Sequence, residues 1–422
     1  MKILRIRAEG LSRYRKPFDI SFCAVQRVQS SCQHTVHRLA GSVCVNAVET
    51  FAGINASGKT TALRVISFVG MLLKGVSLSS DMASLILAEN VQTVFTIDFF
   101  AGGKICRLTS RIIRTKDPGA RDRVRILEEK LLAKSAAGRT SRANLSDFDG
   151  MDPVRVRKHA EEYLSDDVSV MIAVNRQLQD RSIFVSPAAS SDFSLPLSDG
   201  GSVPAEILSL LDPSIVYLRT ETVNERTIFR LKFQGQDELA VSGPAELGEY
   251  LSSGTLKGIR VFTDAVRALK NGGYLIADDI ENHLNRELAA SLIRLFLNPR
   301  TNQRSAVLIF STHDPELLDE TGRNDAVFLT RNDHGLTIDN LHSLLKRSDI
   351  PGSRIYRSNF LGGTAPSYEA LALLQKDIAE TENGGSNSIS KTQQKPATVQ
   401  RRQRNEDQTQ RADPDTGVSG GR

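Results

Sequence analysis

The chain has 422 residues, of which 40% are hydrophobic and 24% charged, with a formal net charge of +5. That is room for two or three domain-sized units and enough core to fold without disulfides. No run of about 18 apolar residues occurs, and Lys2, Arg5, Arg7 and Glu9 interrupt the first ten positions, so neither a membrane span nor an apolar signal core is expected.

The cysteines Cys23, Cys32, Cys44 and Cys106 are too sparse for a disulfide framework and suit a reducing compartment, so the cytoplasm is the expected location. Cys32, His34 and His37 match no common zinc spacing. In chain order, Ile3 and Ile6, then Phe18, Ile20 and Phe22, predict a strand pair, and Val43 to Phe51 a third strand entering a glycine-rich turn. Ala62 to Leu73 reads as a helix. Thr93 to Phe100 and Lys104 to Ile113 read as a hairpin turned by Gly102 and Gly103.

From Lys116 the texture becomes basic, with Arg121, Arg123, Arg125, Lys130, Lys134, Arg139 and Arg142 around a predicted helix over Val124 to Lys134. Such a cluster neutralises phosphates and raises double-stranded DNA as a partner; a solvated face is the alternative. The segment Ser186 to Pro204 reads as a loop. Strands return at Ile215 to Leu218 and Ile228 to Phe233, and from Gly243 to about 350 helix and strand alternate. Beyond Asn383 the composition cannot offset the entropy of ordering, so a disordered tail is expected.

Five domain segments follow from this reading: an N-terminal half over 1–117, a partly helical inserted subdomain over 118–213, a C-terminal half over 214–350, a helical extension over 351–380 and the tail over 381–422.

The octet Gly53-Ile54-Asn55-Ala56-Ser57-Gly58-Lys59-Thr60 fits a phosphate-binding loop between a predicted strand and a predicted helix. Its glycines let backbone N–H groups turn toward phosphates, and the helix N-terminus adds partial positive charge. Lys59 is assigned to the β- and γ-phosphates of ATP and Thr60 to Mg²⁺, with Thr61 beside them. A metal site of this kind needs a carboxylate at the end of a buried strand, and Tyr274 to Asp278 supplies it. Asp278 is the metal-side residue. Asp279 is the candidate to orient or deprotonate the attacking water, with Glu281 as its rival. Ser252, Ser253 and Gly254 open a helical pattern, and Val307 to His313 is a strand ending in a histidine.

Taken in this order, the four elements resemble the ABC-type ATPases. The resemblance is to the soluble branch that includes SMC, RecF and overcoming-lysogenization-defect proteins, and above all to the stand-alone AAA-15/AAA-21 type ATPases of bacterial anti-phage and abortive-infection systems. Asn55 in the phosphate loop, Asp278 to Leu284, Ser311 to Leu318 and Asn359 to Gly363 carry it. It implies an α/β P-loop NTPase fold of ABC-ATPase type, with a mixed sheet, N-terminal antiparallel strands and a partly helical insert. It further implies a head-to-tail homodimer, in which Ser252, Ser253 and Gly254 of one subunit close on the γ-phosphate at the other's Lys59 and His313 senses it. A partner effector encoded nearby follows from the same resemblance. The family usually carries Glu where this chain has Asp279, so slow turnover is expected. An ATP-locked scaffold and a nuclease-linked ATPase subunit are the alternatives; a transporter subunit fits less well, because of the long interval between Thr60 and Ser252.

Overall fold

The computed structural model describes residues 1–116, 122–136, 140–158, 164–178, 182, 184–185, 201–223, 226–282, 284–345, 350–359, 362 and 368–383. The expected loop over 186–200, Arg121, Arg139, His283, Phe360, Leu361, Gly363 and the tail beyond 383 lie outside them. Met1–Pro366 is one compact unit, and the helix Tyr368–Asn383 belongs to a second.

Lys2–Glu9 (β1) and Phe18–Ser21 (β2) pair antiparallel, with Ile6 opposite Ile20. Val36–Ala40 (β3) and Val43–Asn46 (β4) form a separate hairpin, and Val48–Ala52 (β5) begins after Ala47. The single strand expected over Val43 to Phe51 is thus two strands. Ala47 divides them because its N–H bonds Thr35 O in the hairpin region while its carbonyl accepts from Leu308 in the other sheet.

Lys59–Lys74 (α1) follows the phosphate loop, and Ser80–Ile86 (α2) is capped by the Ser79 hydroxyl. Gln92–Ala101 (β6) and Lys104–Thr115 (β7) form the expected hairpin, and Arg123–Ser135 (β8) pairs along β7 with a register shift at Arg111/Ile112. The helix expected over Val124 to Lys134 is therefore a strand. Its Glu and Lys residues favour a helix locally, but Val124, Ile126, Glu129 and Leu131 are buried while Arg125, Glu128 and Lys130 are exposed, an alternation that a sheet edge can satisfy. Arg155–Lys158 (β9) completes this sheet, ordered β2-β1-β6-β7-β8-β9. Glu129 is buried where the alternation calls for an apolar residue; it accepts from Ser110 Oγ, Ser169 Oγ and the Val170 N–H, which ties β8 to the turn before the next helix.

Met171–Leu178 (α3), Phe184–Val185 (β10) and Ala205–Leu211 (α4) follow. Ile215–Val223 (β11), Arg226–Phe233 (β12) and Leu239–Val241 (β13) form a three-stranded sheet, and Pro244–Tyr250 (α5) leads to Ser253–Asn271 (α6). Tyr274–Ala277 (β14), Arg286–Leu297 (α7), Val307–Thr312 (β15), Val327–Asn332 (β16) and Leu336–Asn340 (β17) follow, then Leu341–Leu344 (α8), Gly352–Arg357 (α9) and Tyr368–Asn383 (α10).

The second large sheet has the order β10-β14-β15-β5-β16-β17, parallel except for β17. Its central strands β14, β15 and β5 are buried on both faces, as a covered parallel sheet requires. Tyr274, Ile276, Val307 and Ile309 pack toward α1 and the antiparallel sheet. The alternate residues Leu275, Ala277, Leu308 and Phe310 pack with α6 and α7. Helix α1 is buried on nearly every side, with Val65, Ile66, Phe68 and Val69 at 0% exposure. At ~2 kcal/mol for each large apolar side chain, this sandwiching rather than helix propensity holds the phosphate-loop helix in place.

Candidate active site

Three adjacent parallel strands, β14, β15 and β5, end at one edge. Their register sets Ala277 beside Phe310, and Ser311 and Thr312 beside Phe51 and Ala52. The chain leaving β5 becomes the phosphate loop, that leaving β14 carries Asp278 and Asp279, and that leaving β15 carries His313. The carboxyl edge of an open α/β sheet is where its ligands bind. Segments more than 200 positions apart in sequence are joined there by strand order alone.

An open cleft of ≈ 630 Å³ lies at this edge, lined by Asn55, Ala56, Ser57, Gly58, Lys59, Thr60, Thr61 and Asp279. Gly58 caps α1 with φ 103°, a left-handed conformation in which the loop turns into the helix. Gly53 is required for a different reason: a Cβ there would sit 2.6 Å from Thr330 Oγ1 and 2.7 Å from Thr330 O. Beside it, Ser57 Oγ bonds Thr330 Oγ1 at 2.7 Å, fixing the loop to β16. Lys59 is 6% exposed, and its ammonium donates to Gly53 O at 2.9 Å and Ile54 O at 3.3 Å, with Asp279 Oδ1 at 3.8 Å. An anion at the start of α1 meets this ammonium together with the first-turn N–H groups, which have no partner within the helix.

Ser311 organises the acidic pair. Its Oγ accepts the Asp279 N–H at 2.7 Å and donates to Asp278 Oδ1 at 2.5 Å. Asp279 itself has φ 41°, a region that Asp tolerates better than most side chains. Glu281 Oε1 accepts both the main-chain N–H and the ring Nδ1 of His313, at 2.6 and 2.7 Å. Asp279, Glu281 and His313 each bring a ligand atom within 4.8 Å of the others. The hydroxyl of Thr60 and the carboxylate of Asp278 are hard oxygen donors of the kind Mg²⁺ takes, although Asp278 does not line the cleft.

The residues expected at Ser252, Ser253 and Gly254 do not line the cleft of their own chain. Ser252 caps α6, its Oγ accepting the Thr255 N–H at 3.0 Å, and Ser252 and Ser253 are exposed. The same helix carries Lys257, which sequence reading passed over. Burial lowers the Lys257 ammonium from its ordinary value, and Asp279, Asp278 and Glu281 oppose that shift. It is a half-buried cation on α6, within electrostatic reach of the three acidic groups of its own chain.

Arg13, Arg64, Asn332, Gly335 and Leu336 also line the cleft and were not anticipated. Arg13 arrives because Leu336 N–H donates to Arg13 O at 2.8 Å and Arg15 N–H to Leu336 O at 3.1 Å, joining the β1–β2 loop to β17. No local pattern announces a bridge of that range. Arg64 could have been read from its place one turn beyond Lys59. In the basic segment, Arg123, Arg125 and Lys130 are exposed along β8, whereas the Lys134 ammonium lies 4.6 Å from the centre of the Phe148 ring and donates to Asn144 O at 2.6 Å. His37 Nε2 donates to Ala306 O, 2.9 Å away, and His37 forms no cluster with Cys32 and His34 of metal-binding kind among the described residues.

Residues 111–319 match the family model described as "AAA domain, putative AbiEii toxin, Type IV TA system". The matched segment runs from within β7 past β15 and contains Ser252, Ser253, Gly254, Asp278, Asp279, Glu281 and His313, while the phosphate loop precedes it. The search of curated proteins found no match to the chain. The α/β architecture, with a phosphate loop between β5 and α1, is that of a P-loop NTPase, and over residues 111–319 the chain is similar to the AAA-21 type of AAA ATPase domain.

Proposed function

We propose that the chain binds ATP with Mg²⁺ in the Lys59 cleft, hydrolyses it slowly, and uses the nucleotide to assemble a head-to-tail homodimer that controls a partner effector in phage defence or DNA maintenance. The observation that carries this reading is the meeting of Lys59, Asp279 and the Ser311-bonded Asp278 at one sheet edge. Lys59 and the N-terminus of α1 hold the β- and γ-phosphates, and Gly53 and Gly58 let the backbone close around them. Thr60 and Asp278 would hold Mg²⁺, which would supply charge screening for the phosphates. Asp279 orients the attacking water and takes its proton, and His313, held by Glu281, contacts the γ-phosphate. The exposed Ser252 and Ser253, which do not line their own cleft, close on the cleft of a second copy.

A second reading, the ATP-locked scaffold, is favoured by Asp279 itself. Its carboxylate is one methylene shorter than the usual Glu and already faces Lys59. Among the described residues no helix is long and apolar enough to cross a membrane, and a cytoplasmic site of action is part of the proposal, as is contact of the exposed β8 arginines with double-stranded DNA.

Light scattering of the full chain with ATP, beside a Ser253→Arg variant, tests the assembly. An ATP-dependent dimer lost in Ser253→Arg, with ATP binding retained, is the expected result. A Ser253→Arg chain that still dimerises contradicts the head-to-tail arrangement. DNA-stimulated turnover favours the mechanoenzyme, and stable ATP-bound dimers without turnover favour the scaffold.

A further inference from the structure

A second cleft of ≈ 830 Å³ lies between the loop after β2, the β3–β4 hairpin and the segment around Arg142, and shares no lining residue with the Lys59 cleft. Its size is within the range of pockets that enclose a small ligand, roughly 300–1,000 Å³. The lining has two characters. Cys23, Val36 and Val43 supply an apolar floor, whereas Arg27, Arg38 and Arg142 are exposed cations, and no carboxylate is among the lining residues. None of the three arginines makes an ion pair among the described residues. Arg38 spends two of its five N–H donors on Gly41 O, at 3.1 and 3.0 Å, and Arg142 gives one to Ala24 O at 3.3 Å. Both guanidiniums are thus anchored yet retain donors.

The wall behind them is rigid. The Val25 and Gln26 N–H groups both donate to the buried Asp325 Oδ2, at 2.5 and 2.7 Å, and Arg323 Nη2 donates to Gln26 O at 3.0 Å while pairing with the same carboxylate. Asp325 is therefore neutralised behind the loop rather than offered to the cleft. Ala24 N–H donates to Cys44 O at 2.8 Å, closing the loop onto the hairpin. A preformed pocket with an apolar floor and unpaired guanidinium forks suits an anion carrying an apolar ring, and such forks match phosphate oxygens in geometry as well as charge.

We propose that this cleft, built from Arg27, Arg38, Arg142 and the clamped Ala24–Val28 loop, is a second binding site for a phosphate-bearing ligand of nucleotide size, separate from the Lys59 cleft.

Cys44 reports on it directly. Cys44 and Cys32 are both half-buried free thiols, but only Cys44 lines the cleft. Alkylation of the full chain by iodoacetamide, followed by peptide mass spectrometry, is measured with adenosine monophosphate, inorganic tripolyphosphate or a single-stranded oligonucleotide present. Slowed modification of Cys44 by the mononucleotide, with Cys32 unchanged, is the expected result. Arg38→Ala with Arg142→Ala should weaken that protection about tenfold or more. Arg27→Ala, which breaks no ion pair among the described residues, should weaken it too, and covers the case in which the double variant loses its fold. Protection should persist in Lys59→Ala, which separates this site from the proposed ATP site. Unaltered Cys44 reactivity with every probe, or equal protection in all the arginine variants, overturns the proposal. Protection by tripolyphosphate alone overturns the role of the apolar floor, and protection by the oligonucleotide alone reassigns the cleft to a nucleic-acid strand.

Discussion

Glu281 Oε1 holds His313 at two points, the main-chain N–H at 2.6 Å and the ring Nδ1 at 2.7 Å. The histidine ring is half exposed, so this carboxylate, and not packing, sets its direction. In the proposed mechanism Glu281 therefore acts through His313 rather than on the water. Glu281→Ala should lower kcat about tenfold or more with little change in KM for ATP, while Glu281→Gln, which keeps an acceptor oxygen, retains most of the activity. Steady-state kinetics of the two variants decide it, and an unaltered kcat in Glu281→Ala removes Glu281 from the mechanism.

Asp279 combines a short arm with φ 41°. Removing its charge in Asp279→Asn should cut turnover by roughly 10²–10⁴, the usual worth of a positioned base. Asp279→Glu carries the carboxylate one methylene further toward the water and should turn over faster. Glu is less at ease in the left-handed region, so the variant should also unfold at lower temperature, with a cost of about 1 kcal/mol. A paired measurement of phosphate release and thermal unfolding checks both effects; turnover no faster than in the parent chain contradicts the role given to the missing methylene.

At Gly53 a methyl group meets the Thr330 carbonyl at 2.7 Å, main chain that cannot rotate aside. Gly53→Ala should displace the loop from β16, cost about 1–3 kcal/mol as overpacking does, and abolish tight ATP binding. Denaturant unfolding and nucleotide titration report the two losses separately. Retention of both in Gly53→Ala shows that the loop adjusts without harm.

Burial lowers the His37 imidazole to about 4, with its Nε2 at 2.9 Å from Ala306 O. The unfolded chain takes up that proton near pH 6.5 and the folded chain does not until about 4, so the unfolded state binds more protons across this interval. Stability should fall as the pH drops from about 6.5 toward 4, by up to ~3 kcal/mol from this group. Glu49 and Glu129, raised mainly by burial, act in the opposite direction, so the difference between the parent chain and His37→Gln isolates the histidine. Unfolding curves of equal pH dependence for the two chains contradict the assignment.

Much of the site was readable from short motifs. Gly53 to Thr60, Asp278 with Asp279, and His313 each end a run of apolar residues, and runs of that kind become the buried parallel strands β5, β14 and β15. Strand order then brings their ends together. What was not readable depends on pairings across the chain. Arg13 enters the cleft only through the Leu336 bridge, and Lys257 is notable only because α6 faces Asp278 and Asp279. Residues Val124 to Lys134 misled because their charges favour a helix, while the available edge of β7 and the buried hydrogen bonds of Glu129 select a strand. Tertiary pairing outweighs a local preference worth only tenths of a kcal/mol per residue.

ATP turnover by the purified full chain, beside Lys59→Ala, tests the central claim most directly. Slow but measurable phosphate release that disappears in Lys59→Ala, with the variant still folded, is the predicted result. Equal release by the two chains would mean that the Lys59 cleft is not where ATP is hydrolysed.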